Sequence, residues 1–303
     1  MPLPQSGQRV VCQPLRHILV PTDFSAHARR ALEWAMHLAH EHGATISLIH
    51  AVDPAHLAET DRIDKNELQR SLDEVAQFAR ERKLEAVIDH EVGRPWEVIA
   101  RKAAELNADL VVIGTSGRGT LGQKLMGGTA DRVIRISPAP VLVVHLDDVA
   151  TDRGFRRVLV AVDFSSASIR AAQAACTLLH PTAKSPAKML LLHVTELELP
   201  DPGTYGMSFD PHYWENKERD ARAELEKLAA TLRSPTMTVE TQVARGFVAR
   251  VILDAANSMG ADLIATGTHG YSGISRFLLG SVAENLLKHA KCPVLTTRAT
   301  SEG

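Results

Sequence analysis

Two glycine clusters, with the hydroxyl and carboxylate residues around them, are the stretches whose residue types and spacing can do chemistry. The later one is Gly267-Thr268-His269-Gly270, followed by Gly280-Ser281. Before it runs Asp262-Leu263-Ile264-Ala265-Thr266, a short apolar run of strand type. After it comes Ser281 to His289, with Glu284 in the first turn and Lys288 and His289 at the end, the polarity of a helix. Glycines at such a turn let backbone N–H groups approach an anion closely, and a helix N-terminus adds positive potential. Ser281 is expected to cap the helix and to offer its hydroxyl to a phosphate oxygen. The chemistry this suggests is nucleotide binding. One isolated copy would equally describe a tight strand-to-helix connection.

The copy is not isolated. A shift of 153 residues lays Gly114-Thr115-Ser116-Gly117 on Gly267-Thr268-His269-Gly270, and Gly127 on Gly280. Upstream, Pro21-Thr22-Asp23-Phe24-Ser25 and Ala161-Val162-Asp163-Phe164-Ser165 repeat with an offset of 140. The chain therefore reads as two versions of one domain, over 1–148 and 154–303, with Asp147 to Arg153 as a polar linker. At 303 residues each half is long enough to bury its own core.

The elements that must hold these residues follow from periodicity. In the first half, apolar runs at 16–20, 45–52, 86–92, 109–113 and 140–144 are strands. Helical spacing appears at Ala28 to His40, Asp64 to Lys83, Trp96 to Glu105 and Thr129 to Arg135. Strands alternating with helices predict parallel βαβ units with both faces of the sheet covered. Ligands then sit beyond the carboxyl ends of the strands, where both glycine clusters fall. The second half repeats this plan, with extra residues chiefly in Leu199 to Trp214, which reads as a surface loop or, less commonly, a lid. Residues 1–14 read as a loose tail.

The pattern G-x2-G-x9-G-[ST] after a parallel strand, with an early strand ending in Asp-Phe-Ser, resembles the universal stress protein family once in each half. The resemblance implies two tandem five-stranded parallel α/β domains of strand order 3-2-1-4-5, a Rossmann-like arrangement, packed as an internal pseudo-dimer. It also implies ATP held between strand ends and glycine loop, with Mg²⁺ accompanying the nucleotide. Carried to the second half, the pocket comprises Ala161, Val162, Asp163, Val194, Gly267, His269, Gly270, Gly280, Ser281 and Val282. Asp163 would act on the ribose or a bound metal, or as a turn residue; the roles are compatible. In the first half the counterparts are Pro21, Thr22, Asp23, Gly114, Gly117, Gly127, Gly128 and Thr129. Gly128 stands where the family has Ser or Thr, and Thr129 substitutes only if the turn shifts by one residue. Family relatives dimerise through the final strand, so the two copies here, Pro140 to Val144 and Pro293 to Thr297, are expected to pair antiparallel. A further homodimer is compatible with this.

Other constellations are weaker. Gly117-Arg118-Gly119-Thr120-Leu121-Gly122 has the letters of a dinucleotide fingerprint but follows the fourth strand rather than the first. Gln123-Lys124-Leu125 lacks the P-loop Gly-Lys-Ser/Thr. His37, His40 and His42 have no partners at zinc-site spacing. The repeated His50 and His193 suit a packing or hydrogen-bond role near the pocket rim.

Net charge of −2 argues against a dedicated nucleic-acid binder. No apolar run reaches the ~18 residues of a membrane span, and residues 1–15 lack a signal-peptide core, so a cytoplasmic protein is expected. Three dispersed cysteines, Cys12, Cys176 and Cys292, read as reduced thiols. The leading functional reading is a nucleotide-dependent regulatory module. A slow ATPase or phosphate-transfer enzyme, and a ligand-free interaction scaffold, stand beside it.

Overall fold

The computed structural model describes residue 12, residues 14–54, 70, 73, 74, 77, 80 and 81, and then 86–115, 126–148, 154–179, 186–196, 212–268 and 279–299. The first half contains β1 (His17–Pro21), α1 (Ala26–His42), β2 (Thr45–Val52), β3 (Ala86–Val92), α2 (Pro95–Glu105), β4 (Leu110–Gly114), α3 (Gly128–Ile136) and β5 (Val141–Val144). The second contains β6 (Arg157–Ala161), α4 (Ser166–Leu179), β7 (Ala187–Thr195), α5 (Tyr213–Leu232), β8 (Met237–Arg245), α6 (Val248–Met259), β9 (Leu263–Gly267), α7 (Ser281–His289) and β10 (Val294–Thr297). Most of the helix expected over 64–83 lies outside the described residues, as do residues 199–211 of the long insertion.

All ten strands form one sheet in the order β3-β2-β1-β4-β5-β10-β9-β6-β7-β8. Pairing within each half is parallel, in the expected order 3-2-1-4-5. At the centre β5 and β10 run antiparallel, with Leu295 opposite Leu142 and Val294 opposite Val143. The four residues of each are buried. A terminal strand left as an edge would expose both unpaired backbone groups and these apolar side chains, and mutual pairing removes the liability.

Alternation along the strands builds two continuous cores. Ile18, Val20, Leu142, Val144 and Leu295 face one side, where α1, α4 and α5 pack. Leu19, Val111, Val141, Val143 and Val294 face the other, under α2, α3, α6 and α7. Each core crosses the β5–β10 seam, so the halves share both layers.

The linker's two ends are fixed to the first helix. Trp34 Nε1 donates to the Asp148 carbonyl (3.0 Å), and its ring stacks on the fully buried Phe155 at 4.8 Å. Arg156 reaches back to Glu41 (2.9 Å) and donates to the Leu179 carbonyl.

Two expectations are corrected. The expected loose tail of residues 1–14 is tied down at Cys12, which forms a disulfide with Cys176 of α4, Cα to Cα 5.6 Å. The cysteines are therefore not all free thiols. Their sequence separation of 164 hid a proximity that exists only once the halves are packed. Cys292 is free and buried, and burial pushes its thiol up to about 12, with Asp148 and Asp262 adding in the same direction.

Candidate functional site

The site in the second half starts from the turn after β6. Asp163 Oδ1 accepts from the Ser165 backbone N–H (3.0 Å) and from its hydroxyl (2.6 Å). Ser165 Oγ in turn accepts from Ser168 N (3.2 Å), and Asp163 N donates to Ser168 Oγ (3.3 Å). Oδ2 of Asp163 has no hydrogen-bond partner among the described residues. The turn drives Phe164 to φ +64, a left-handed conformation unfavourable for a bulky side chain. Tertiary contacts hold it there. The Phe164 ring packs on His193 at 4.7 Å, and His193 Nδ1 donates to the Val162 carbonyl at 2.7 Å.

The first half repeats the device. Phe24 has φ +63 and packs on His50 at 4.7 Å, and His50 Nδ1 donates to the Thr22 carbonyl at 2.8 Å. The paired histidines thus have the structural role expected of them.

The motif's first glycine is required by packing. A Cβ on Gly267 would lie 2.8 Å from the Ala167 Cβ and 3.0 Å from Ser168 N, at the start of α4. On Gly114 it would lie 2.6 Å from the His27 carbonyl oxygen. Thr268, fully buried, then fixes both ends of the glycine loop. Its N–H donates to the Thr297 carbonyl and its own carbonyl accepts from Gly280 N, both at 2.8 Å.

That last bond corrects the expected role of Ser281. Committing the Gly280 N–H to Thr268 holds Gly280 extended (φ −62, ψ 144), so Gly280 is the N-cap of α7 and no side chain caps the helix. Ser281 is the first helical residue, and its exposed hydroxyl makes no cap. The first-turn N–H groups lack a capping side chain and sit at a wall of the site. In the first half Gly127 is likewise the N-cap and Gly128 the first residue of α3. Thr129 is therefore the second helical residue. The one-residue shift that would let it replace Ser281 does not occur.

These elements enclose a cavity of about 290 Å³ at the carboxyl ends of β6, β7 and β9. Ala161, Val162 and Asp163 line it from the β6 turn, Val194 from β7 and Gly267 from β9. Gly280, Ser281 and Val282 close it from α7. His269 and Gly270 lie outside the described residues. So do Gly117 and the whole of 117–122 in the first half. Pro21 ends β1 and Thr22 and Asp23 follow it, Gly114 ends β4, Gly127 caps α3 and Gly128 and Thr129 open it, the equivalent places in that half.

Sequence reasoning missed Ser168, Thr266, Thr268 and Glu196, and the apolar wall of Val248 and Ile252. Ser168 was within reach, since it lies in the first turn of α4, five residues after Asp163. Val248 and Ile252 carry no such signal, because an i, i+4 apolar pair on a helix looks the same whether it meets core or cavity. Among the described residues, no cluster of three or more metal-ligating side chains forms, and no helix is long and apolar enough to cross a membrane.

A model of the universal stress protein family matches residues 14–145 and again 154–298. A universal stress protein of Mycolicibacterium smegmatis is 31% identical over 294 residues, covering 93% of this chain and 96% of that protein. A universal stress protein of Thermus aquaticus is 33% identical over 133 residues, 42% of this chain and 97% of its own length. Among solved structures, a universal stress protein from Archaeoglobus fulgidus superposes with a TM-score of 0.70 at 22% identity, covering 94% of this chain and 98% of that one.

Proposed function

The chain belongs to the universal stress protein family, and we propose that its second half binds an adenine nucleotide, ATP with Mg²⁺, as a regulatory receptor. The observation that carries this reading is the meeting of Asp163, Gly267 and the uncapped first turn of α7 around one cavity. Its volume of about 290 Å³ is near the lower end of small-molecule sites. That suits a nucleoside lying between the β6 and β7 ends, with its phosphates at the mouth.

The residues present fit the group. Val162, Val194, Val248 and Ile252 offer an apolar wall to a base. The N–H groups of Ser281 and Val282, with the exposed Ser281 hydroxyl, suit phosphate oxygens. Asp163 keeps one carboxylate oxygen for a ribose hydroxyl or for Mg²⁺ held with the phosphates. The first half would bind more weakly, since Gly128 replaces Ser281 and Ala28 replaces Ser168.

A receptor is favoured over an ATPase by the wall chemistry. Phosphoryl transfer needs cationic stabilisation of the transferred group, and no Lys or Arg is among the described residues lining the cavity. Lys124 and Arg276, the nearest cations in the two loops, lie outside the described residues. Mass spectrometry of the purified protein for retained nucleotide, followed by calorimetric titration with Mg-ATP, tests the reading. One tight site per chain is expected. Absence of retained nucleotide together with no titratable ATP binding would favour the interaction-scaffold reading. Phosphate release near the ~10 s⁻¹ typical of enzymes would favour the ATPase.

A further inference from the structure

A second cavity, of about 360 Å³, lies between the halves. One wall is the N-terminal margin of the first half's strands: Pro14 and Leu15 before β1, Asp109 and Leu110 at β4, and Pro140 before β5. The opposite wall is one stripe of α4, with Arg170, Gln173, Ala174 and Thr177 at helical spacing. The Cys12–Cys176 disulfide joins the two walls, two residues before Pro14 and one before Thr177. The cavity is thus held open by a covalent cross-link and by the β5–β10 seam, and it is separate from the nucleotide cavity.

Arg170 is its unusual member. The guanidinium is half-buried, donating to the Arg298 carbonyl (2.8 Å) and the Pro138 carbonyl (3.2 Å). Among the described residues no carboxylate pairs with it. A guanidinium has five N–H donors, and this half-buried one, bonded only to neutral carbonyls, keeps donors for an anion. Burial and the charge of Arg298 both push the Arg170 pKa down, the direction that a bound anion would oppose. The rest of the lining is amphipathic, with Pro14, Pro140 and Ala174 as its apolar side and Gln173 and Thr177 as polar neighbours of Arg170. Asp109 Oδ2 is already bonded to the N–H groups of Arg16 and His17, and its charge in the wall repels a dianion such as a phosphate monoester more strongly than a monoanion held at Arg170.

We propose that this inter-half cavity is a binding site for a small organic monoanion with an apolar body, a medium-chain carboxylate, whose carboxylate meets Arg170. The cavity volume lies within the range of about 300 to 1,000 Å³ of small-molecule sites, which are concentrated at domain interfaces.

Calorimetric titration of the whole chain with octanoate, in saturating Mg-ATP, tests this. Saturable one-to-one binding is expected, with 1-octanol, which lacks the charge, about tenfold weaker or more. Arg170→Met should weaken octanoate by at least about tenfold and leave octanol unaffected. Ala174→Trp, which fills the cavity, should abolish both while ATP binding persists. No saturable octanoate binding, octanol binding as tightly as octanoate, or unchanged octanoate affinity in folded Ala174→Trp would each overturn the proposal. If both variants fail to fold, the comparison of octanoate with octanol on the unaltered chain decides it.

Discussion

His145, at the end of β5, donates through Nε2 to the carbonyl of Leu287 in α7 at 2.8 Å, a bond from the first half to the helix that closes the second half's cavity. Its Nδ1 faces Asp148 Oδ2 at 3.1 Å. The Leu287 carbonyl can only accept, so Nε2 carries the proton in that bond. His145→Gln retains at most one of the two contacts. The expected cost is about 1–3 kcal/mol of stability, read from urea denaturation midpoints. A midpoint unchanged within error would show that the bond contributes nothing to joining the halves.

Two glycines of the motif should respond oppositely to alanine. A Cβ at Gly267 meets Ala167 and Ser168 at 2.8–3.0 Å, whereas one at Gly128 meets nothing within 4 Å. Gly267→Ala is expected to cost about 1–3 kcal/mol by overpacking the start of α4. Gly128→Ala, at the first helical position of α3, should be neutral or stabilise by up to about 1 kcal/mol. Thermal unfolding of the two variants side by side checks the contrast, and equal effects would contradict it.

Nucleotide affinity should depend on the α7 N-terminus in the second half. Gly280→Val would place a branched side chain at the N-cap and is expected to abolish Mg-ATP binding in calorimetry. Ser281→Gly, which imitates the first half, should lower affinity by about tenfold through loss of one hydroxyl contact. Unaltered binding in both variants would remove α7 from the site.

The three cysteines should behave as two classes. Without reductant, the native chain is expected to show no alkylatable thiol at pH 8, since Cys12 and Cys176 are joined and Cys292 is buried with its thiol pushed up to about 12. Cys12→Ser should lower stability by about 2–4 kcal/mol under the same conditions, and the difference should vanish in reductant. For Cys292 the folded-state pKa lies above the unfolded one, so the native state keeps a proton that the unfolded chain loses. Its contribution is present below about pH 8.5 and is lost as pH rises through about 12. Cys292→Ala should flatten the stability profile in that window. Rapid labelling of Cys292 at pH 8 would contradict this.

Much of the fold was legible in the chain because local periodicity and internal repetition say the same thing twice. The alternation of strands and helices and the 153-residue shift of the glycine clusters were enough to expect two parallel α/β halves, whereas the order 3-2-1-4-5 and the joining at β5 and β10 followed from the family resemblance of the motif. The repeated Asp-Phe-Ser turn placed Asp163 and Asp23 at strand ends. Tertiary structure alone decided which side chains complete these places. The cap of α7 moved to Gly280 because its N–H is held by Thr268, a bond between residues that no periodicity links. The glycine at 267 is set by the approach of α4, a helix about 100 residues earlier in the chain. The Cys12–Cys176 bond and the cavity beside Arg170 exist only where one half packs on the other. Sequence patterns report what each segment prefers, whereas contacts between distant segments depend on how those segments are finally stacked.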